Sequence, residues 1–588
     1  MQQSFQNRIP KTSSLRRYLP ILQWASSYQR SDLVGDLLAG SIVAIMLVPQ
    51  AMAYALLAGL PPQVGLYASI LPLIIYGLLG TSRTLAVGPV AIVSLLVASG
   101  VAPLTATDGS NLLQLALTLA LLVAIIQTVM GLLRVGFVVN FMSHPVLSGF
   151  TSAAALVIGA SQIKHLLGIR IPSGEFFDTV WHALTHLSES NPATLIIGLG
   201  SIAILSFFKN SLGKWLQKWG VAKHIALPIA KSAPLLVVLL GSLAVWLGQL
   251  DQTANVAIVG TVPAGLPSLT LPSFAPAVWQ ALLPTALVIS FVGYMESIAV
   301  AKSLASKRRQ KVEPNQELIA LGIANLGAAF TGGYPVTGGF SRSVVNYDAG
   351  ANTGLASVIT AVLIALTVIF LTPLFYFLPN AVLAAIVLVA VAGLVDIATL
   401  RHVWHYNKAD AASLLITFGA VLALGIENGI LVGVATALLL HIWRTSKPHV
   451  AVVGRLPHSE IYRNVLRHQV ETCPHVVAVR VDESLYFANT KFLEDTIWQL
   501  VYGSADVAAV VLIGTAVNHI DASALETLET LNHDLRDAGV TLYFAAIKGP
   551  VMDKLRDIGF VQQIGKDRFF MTTHDAMLTL NCWQNGNK

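Results

Sequence analysis

Two interruptions rich in glycine and proline hold the residues best placed for chemistry. Around the first, Gly80-Thr81-Ser82-Arg83 is followed by Leu85-Ala86-Val87-Gly88-Pro89. Residues 85–87 suit extended backbone, Gly88 permits close approach, and Pro89 suits the first turn of a helix. Around the second, Gly332-Gly333-Tyr334-Pro335-Val336-Thr337-Gly338-Gly339-Phe340 leads into Ser341-Arg342-Ser343. If each interruption opens a helix, its first N–H groups have no intrahelical acceptor. Two such ends facing each other from opposite sides make a site for an anion. Ser341 adds a hydroxyl donor and Arg342 a cation, which is expensive in hydrocarbon unless paired or hydrated. Snorkelling, or a pair with Asp348, is the rival reading of Arg342.

Two further groups join them. Gln50 and Tyr54 are four apart and share a helix face, after Pro49, which should weaken the helix. An amide donor beside an aromatic wall suits a small anion, with Phe340 as a second wall; taken alone, interhelical packing explains the pair equally well. Glu296, in Gly293-Tyr294-Met295-Glu296-Ser297, reads as the only acid deep within the first twelve apolar segments. A carboxylate buried in low dielectric favours its neutral form, and two anions share a pocket poorly. Protonation of Glu296 therefore favours anion binding, a route to proton–anion symport; a structural acid capping broken backbone is the rival. Asp32, Asp36, Asp348, Asp396 and Glu427 lie near segment ends, where solvation at the interface is expected. The candidate anion contacts are Gln50, Tyr54, Val87, Gly88, Gly339, Phe340, Ser341 and Arg342, with Glu296 as the coupling group.

The elements that must position these residues are apolar. Only 11% of the 588 residues are charged, against about 25% in soluble proteins, and mean hydropathy is +0.69. The division is 1–35 as an N-terminal segment, 36–444 as an apolar membrane region and 445–588 as an ordinary soluble domain. The apolar region divides into fourteen segments, among them 36–56, 84–100, 280–302 and 338–349 as the first, third, eighth and tenth. With a cytoplasmic N-terminus, 21 lysines and arginines fall on the cytoplasmic side against two outside, Lys164 and Arg170. That bias predicts an even number of crossings, a cytoplasmic C-terminal domain and a bacterial inner-membrane location. Twelve crossings satisfy it too. Fourteen alone gives two inverted halves of seven, each interrupted at its third segment, the best sequence pointer to a transporter site. Arg8, Lys11, Arg16, Arg17 and Arg30 precede the first segment, which reads as a retained anchor.

The C-terminal region alternates strand and helix. Strands are expected at 476–486, 507–514 and 540–546, and helices at 490–502, 523–538 and 550–557, which implies a parallel sheet. The two cysteines, Cys473 and Cys582, form no disulfide scaffold or metal cluster, as suits a reducing compartment. The basic residues form no nucleic-acid stripe. The absence of a P-loop excludes an ATP-driven pump, and no nucleophile–base or metal constellation points to an enzyme.

Pro49-Gln50-Ala51-Met52-Ala53-Tyr54-Ala55, Gly59-Leu60-Pro61-Pro62, Gly65-Leu66-Tyr67, Gly88-Pro89, Pro314-Asn315-Gln316-Glu317-Leu318 and Gly338-Gly339-Phe340-Ser341-Arg342-Ser343 resemble the SulP family, the sulfate permease and solute carrier family 26 group. The C-terminal region resembles the STAS domain. The resemblance implies a seven-plus-seven inverted repeat with two half-helices, split into core and gate domains, an elevator-like motion and a homodimer. It matches Gln50, Tyr54, Phe340, Ser341 and Arg342 to the anion site and Glu296 to the acid of proton-coupled members. It also matches Ser523 to a phosphorylated serine of anti-sigma factor antagonists, with Asp521 as an N-cap-like residue of a regulatory contact for a protein partner. Proton-coupled sulfate uptake is the leading expectation, with no bound cofactor. Sodium coupling, bicarbonate, a C4-dicarboxylate, and an uncoupled exchanger or channel are the alternatives.

Overall fold

Hydrocarbon offers the backbone no water, so apolar chain must satisfy its N–H and C=O groups internally as helix. The computed structural model describes residues 19–108, 111–137, 143–171, 175–503 and 506–583. Arg8, Lys11, Arg16 and Arg17, and with them most of the 1–35 segment, lie outside the described residues. The chain divides into two compact units, Met1–Ala437 and Leu438–Lys588.

In the first unit, α1 is Arg30–Leu57, α2 Pro62–Tyr67 and α3 Leu71–Leu79. After strand β1, Val87–Gly88, come α4 (Ala91–Asp108), α5 (Leu112–Leu132), α6 (His144–Leu167) and α7 (Phe176–Thr185). Then follow α8 (Pro192–Phe207), α9 (Gly213–Lys218), α10 (Lys223–Lys231) and α11 (Ala233–Gly248). The second half opens with α12 (Pro276–Lys307) and α13 (Pro314–Phe330), then strand β2, Thr337–Gly338. It continues with α14 (Phe340–Asp348), α15 (Leu355–Phe370), α16 (Asn380–Val391), α17 (Ile397–Tyr406) and α18 (Lys408–Thr445). Among the described residues, eight helical stretches are long and apolar enough to cross a membrane, and Ala91–Thr105, Ala233–Gly248 and Leu355–Phe370 are shorter apolar helices. Pro49 lies inside α1 without ending it. Gly425, at φ 81°, breaks α18 where two segments are expected. The amphipathic α7 and the helix α17 were not anticipated.

The buried acids differ from expectation. Glu296 is not alone in depth, because Glu317 and Asp36 are fully buried. Glu317, in the first turn of α13, accepts from the Tyr76 hydroxyl, the Thr81 N–H and the Thr81 hydroxyl, each at 2.6 Å, and from the Ser82 N–H at 3.1 Å. It fixes the turn that runs into β1. Asp36 does the same for the other half, accepting from the N–H groups of Asn352 and Thr353 at 2.7 and 3.1 Å and the Thr353 hydroxyl at 2.6 Å. Both sit near segment ends, where sequence suggests solvation; a polar turn from the opposite half covers each instead. Glu427 also has protein partners, the hydroxyls of Thr285 at 3.0 Å and Ser99 at 3.4 Å.

The second unit is a six-stranded sheet in the order β4-β3-β5-β6-β7-β8. Its strands are β3 Val450–Arg455, β4 Tyr462–Asn464, β5 Val476–Val481, β6 Ala509–Ile513, β7 Thr541–Ala545 and β8 Phe569–Phe570. From β5 to β8 the pairing is parallel, and β3 is antiparallel to both neighbours. Helices α19 (Thr490–Tyr502), α20 (Ala522–Asp537) and α21 (Gly549–Asp557) connect the parallel strands, and α22 (Phe560–Ile564) and α23 (Thr573–Thr579) follow. Leu493, Ile497, Leu528, Leu531 and Leu555 fill one face of the sheet. Ala576 and Met577 close the other. The three expected strands and helices are present; β3, β4 and β8 were not read. The cysteines also depart from expectation: Cys473 and Cys582 are joined as a disulfide, with His475 between them and the carbonyl of Leu580. The pair is 109 residues apart, so nothing local announces it.

Removing Glu317 leaves several buried donors unpaired, at about 1–3 kcal/mol for each. Glu317→Ala should therefore lower the thermal unfolding temperature of the detergent-purified protein sharply. Glu313→Ala, which breaks only the exposed Lys311 pair, should cost about 0–1 kcal/mol. Equal unfolding temperatures for the two variants would contradict the clamp.

Candidate functional site

The two interruptions meet. Strand β1 pairs antiparallel with β2, Val87 opposite Gly338 and Gly88 opposite Thr337. The Gly339 N–H donates to the Ala86 carbonyl at 3.0 Å. Because the strands run oppositely, α4 and α14 leave this junction in opposite directions from neighbouring starts. Side chains hold the junction in place. The Thr337 hydroxyl donates to the Gly293 carbonyl at 2.5 Å, so it accepts from Ser297, whose oxygen accepts the Gly338 N–H at 2.8 Å. The Ser343 hydroxyl donates to Gly339 at 2.7 Å and accepts from the Ala86 N–H at 2.9 Å. Asn325 is buried and holds Val336 through both its N–H and its carbonyl, at 2.7 and 3.1 Å.

Beside the junction lies a cavity of about 380 Å³. Its lining includes Gln50 and Tyr54 of α1, Glu296 of α12, Ala91 and Ile92 of α4, and Gly339, Phe340, Ser341 and Arg342 at the start of α14. First-turn residues of both helices thus belong to its wall, and first-turn N–H groups have no intrahelical acceptor. Val87 and Gly88 are not in the lining; Val87 is fully buried in the strand pair, and Val90 with the two residues after it takes that place. Lys209 and Lys231 contribute two further cations, and Lys209 Nζ donates to the Val389 carbonyl at 2.9 Å.

Arg342 is 2% exposed. Its Nη1 donates to the Pro89 carbonyl at 2.6 Å, so it ties the two helix starts together rather than pairing with Asp348. Its Nε and Nη2 have no hydrogen-bond partner. Two glycines make room for it. A Cβ on Gly339 would lie 2.9 Å from Nη2 and 3.0 Å from the guanidinium carbon, and one on Gly88, at φ +151°, would lie 3.4 Å from Nη2. Glu296 likewise has one buried oxygen, Oε2, without a partner. A cavity lined by the residues at two helix starts, with a buried arginine that keeps unspent donors and an acid that keeps an unpartnered oxygen, is chemically suited to an oxyanion and a cation.

In the second unit, Asp521 caps α20 by accepting the Ala524 N–H at 2.8 Å, and it also accepts from Phe487 N–H at 2.9 Å. Ser523 is exposed in the first turn of that helix.

Residues 33–417 match the sulfate permease family and residues 467–576 match the STAS domain. The chain belongs to the sulfate permease family. It is a SulP anion transporter with a STAS domain, and so a transport protein rather than an enzyme. Sulfate transporter 4.1, chloroplastic, of Arabidopsis thaliana is 39% identical over 575 residues, 95% of this chain and 82% of that one. Low affinity sulfate transporter 3 of Stylosanthes hamata is 34% identical over 591 residues, 96% of this chain and 90% of that one. Murine Slc26a9 in the inward-facing state superposes with a TM-score of 0.88 at 25% identity, covering 99% of this chain and 97% of that one. The transmembrane domain of the cyanobacterial bicarbonate transporter BicA gives 0.57 at 25% identity, over 70% of this chain and 98% of that one. These matches overturn the expected bacterial inner membrane: the Arabidopsis relatives are plant proteins, one of them chloroplastic by name.

Lys209 and Lys231 escaped the sequence reading because they count there as loop charges; only their clustering between 209 and 231 was a signal. Ser297, Asn325 and Ser343 escaped because small polar residues are common in packed membrane helices.

Gly339→Ala tests the cradle. The added Cβ must displace the guanidinium, so anion affinity should fall about tenfold, about 1.4 kcal/mol, with little change in unfolding temperature. Calorimetric titration of the purified variant checks it; unchanged affinity would mean that the position of Arg342 does not matter to binding.

Proposed function

We propose that this chain carries out proton-coupled sulfate uptake. The observation that carries this reading is a cavity lined by Arg342, Glu296 and the residues of two helix starts, with two buried donors of Arg342 and one oxygen of Glu296 left unpartnered. The anion contacts in this reading are Gln50, Tyr54, Gly339, Phe340, Ser341 and Arg342, with Val87 and Gly88 supporting the junction beneath them. Sulfate is favoured by the names of the curated relatives, which are sulfate transporters. Bicarbonate remains the second reading, since BicA, a bicarbonate transporter, shares the fold of the membrane unit.

The mechanism proposed follows from charge. With Glu296 ionised, an incoming anion meets like charge; with Glu296 protonated, it meets only Arg342, Lys209, Lys231 and backbone N–H dipoles. Anion and proton thus enter together. We further propose that the membrane region, 36–444, forms fourteen segments in two inverted halves of seven. The core, which holds both half-helices, slides against the gate in an elevator-like step, within a homodimer. The 445–588 domain then serves dimer contacts or regulation through a protein partner, with Asp521 and Ser523 at its contact loop.

Uptake into liposomes, with proton and sodium gradients imposed separately and sulfate and bicarbonate compared, tests this reading. Sulfate uptake by the wild type should rise with external acid in sodium-free medium. Glu296→Gln, which mimics the neutral acid, should keep sulfate binding and lose the acid stimulation. Acid stimulation that persists undiminished in Glu296→Gln would remove Glu296 from coupling, and a strict sodium requirement in the wild type would replace the proton.

A further inference from the structure

The second unit brings together three groups that the transport reading does not use. Cys473 lies just before β5, and Cys582 follows α23 near the end of the described chain. Cys473 is buried, while His475 and Cys582 are half-buried. The His475 ring stands beside Cys473 Sγ, with Nδ1 at 3.7 Å and Nε2 at 3.6 Å. The two nitrogens are not equivalent, because Nε2 also lies 3.1 Å from the Leu580 carbonyl. A carbonyl can only accept, so Nε2 carries the proton and Nδ1 keeps its lone pair. An imidazole whose one N–H is spent on a backbone carbonyl, leaving the other nitrogen free, is the usual arrangement of a metal-bound histidine.

Distances agree with that arrangement. With bonds of about 2.3 Å to sulfur and about 2.0 Å to nitrogen, neighbouring ligands of a tetrahedral zinc ion stand about 3.5 Å apart. The Cys473 sulfur and the His475 ring already stand near that spacing. One ligand atom each from Cys473, His475 and Cys582 lie within 4.8 Å of one another.

We propose that Cys473, His475 and Cys582 form a redox-gated site for a thiophilic divalent cation of the zinc type. The disulfide is its closed, metal-free state. A dithiol reductant opens it by thiol–disulfide exchange: the S–S bond breaks, two thiols form, and the reductant leaves as its own disulfide. The cation then displaces the two thiol protons and binds both thiolates and Nδ1, with water in the fourth position. The sulfurs must part to about 3.8 Å, the tetrahedral edge for two thiolates, and the 5.5 Å between their Cα atoms leaves this to side-chain rotation.

The site matters because of what it fastens. Helix α23 closes one face of the sheet with Ala576 and Met577. Beyond it, Trp583 Nε1 donates to the Tyr462 hydroxyl at 2.9 Å, and the Arg455 guanidinium lies 4.2 Å from the Trp583 ring centre. Disulfide and metal both hold this end of the chain onto the strands. The reduced, metal-free form keeps only the packing of α23 and the Trp583 contacts, so that form holds this end of the chain most weakly.

The test uses the full-length, tag-free protein in detergent, reduced with dithiothreitol, desalted without oxygen and titrated with Co²⁺. A strong thiolate-to-cobalt charge-transfer absorption should grow to one Co²⁺ per chain and disappear on adding Zn²⁺. The oxidised protein should show none. His475→Ala should keep the disulfide, which also reports that the unit is folded, and should weaken Co²⁺ binding at least tenfold. Absence of the band in the reduced wild type would overturn the proposal. So would a band of equal strength in Cys582→Ser, or wild-type Co²⁺ affinity in His475→Ala.

Discussion

Four residues of extended backbone, Val87–Gly88 and Thr337–Gly338, depend on one another for their hydrogen bonds. In a unit whose long helices are apolar enough to cross a membrane, unwound chain is tolerable only where protein or enclosed water satisfies it. Here each half satisfies the other. Neither interruption could exist alone, because its exposed N–H and C=O groups have no other strand to meet. The site between the halves is therefore a consequence of how the break is stabilised: the same pairing that mends the backbone brings two helix starts side by side.

That pairing restricts the side chains around it. Leu85 packs where a Cβ on Gly338 would stand, and Arg342 packs where one on Gly339 would stand. The guanidinium then has only the Pro89 carbonyl as a protein acceptor, and two of its nitrogens remain unspent. A buried cation in that condition is costly unless an anion completes it. Glu317 and Asp36 work at one remove, each holding a turn of the opposite half that leads into or out of the junction. Except for Arg342 against Gly339, these contacts join residues more than 200 apart in the chain, so the two halves cannot finish folding independently around the site.

This also explains what could be read from sequence. Local signals were legible: apolar runs long enough to span, Gly88-Pro89 and the 337–343 run as breaks, and the alternation that marks β5, β6 and β7. Composition also separated the two units. The register between Val87 and Gly338 was not legible, since two-residue strands have no periodicity and their partners are far apart in the chain. Asp36 reads as a solvated end-of-segment acid because nothing nearby shows that Asn352 and Thr353 cover it. Val87 and Gly88 were chosen as contacts because the break was visible, while the pairing that turns them away from the cavity was not. Three-residue β4 and the Cys473–Cys582 link failed for the same reason: tertiary packing, rather than local propensity, creates them.

The charge arrangement in the cavity carries a final consequence. Three cations and one acid line it, but they are not equivalent. Arg342 is buried and anchored at the junction, whereas Lys209 is exposed and anchored to Val389 at the end of α16. A charge near solvent is screened within about 8–10 Å at ordinary ionic strength, while a buried one is screened far less. In the reading proposed above, Lys209 therefore acts mainly on the approach of an anion, and Arg342 on its retention. Glu296 opposes retention alone, because its unpartnered oxygen is buried on the same wall. In that reading, neutralising it raises the affinity of the inner position and leaves the attraction at the mouth unchanged. In the proposed proton-coupled cycle, a single proton on Glu296 would thus decide whether an anion that has already arrived stays.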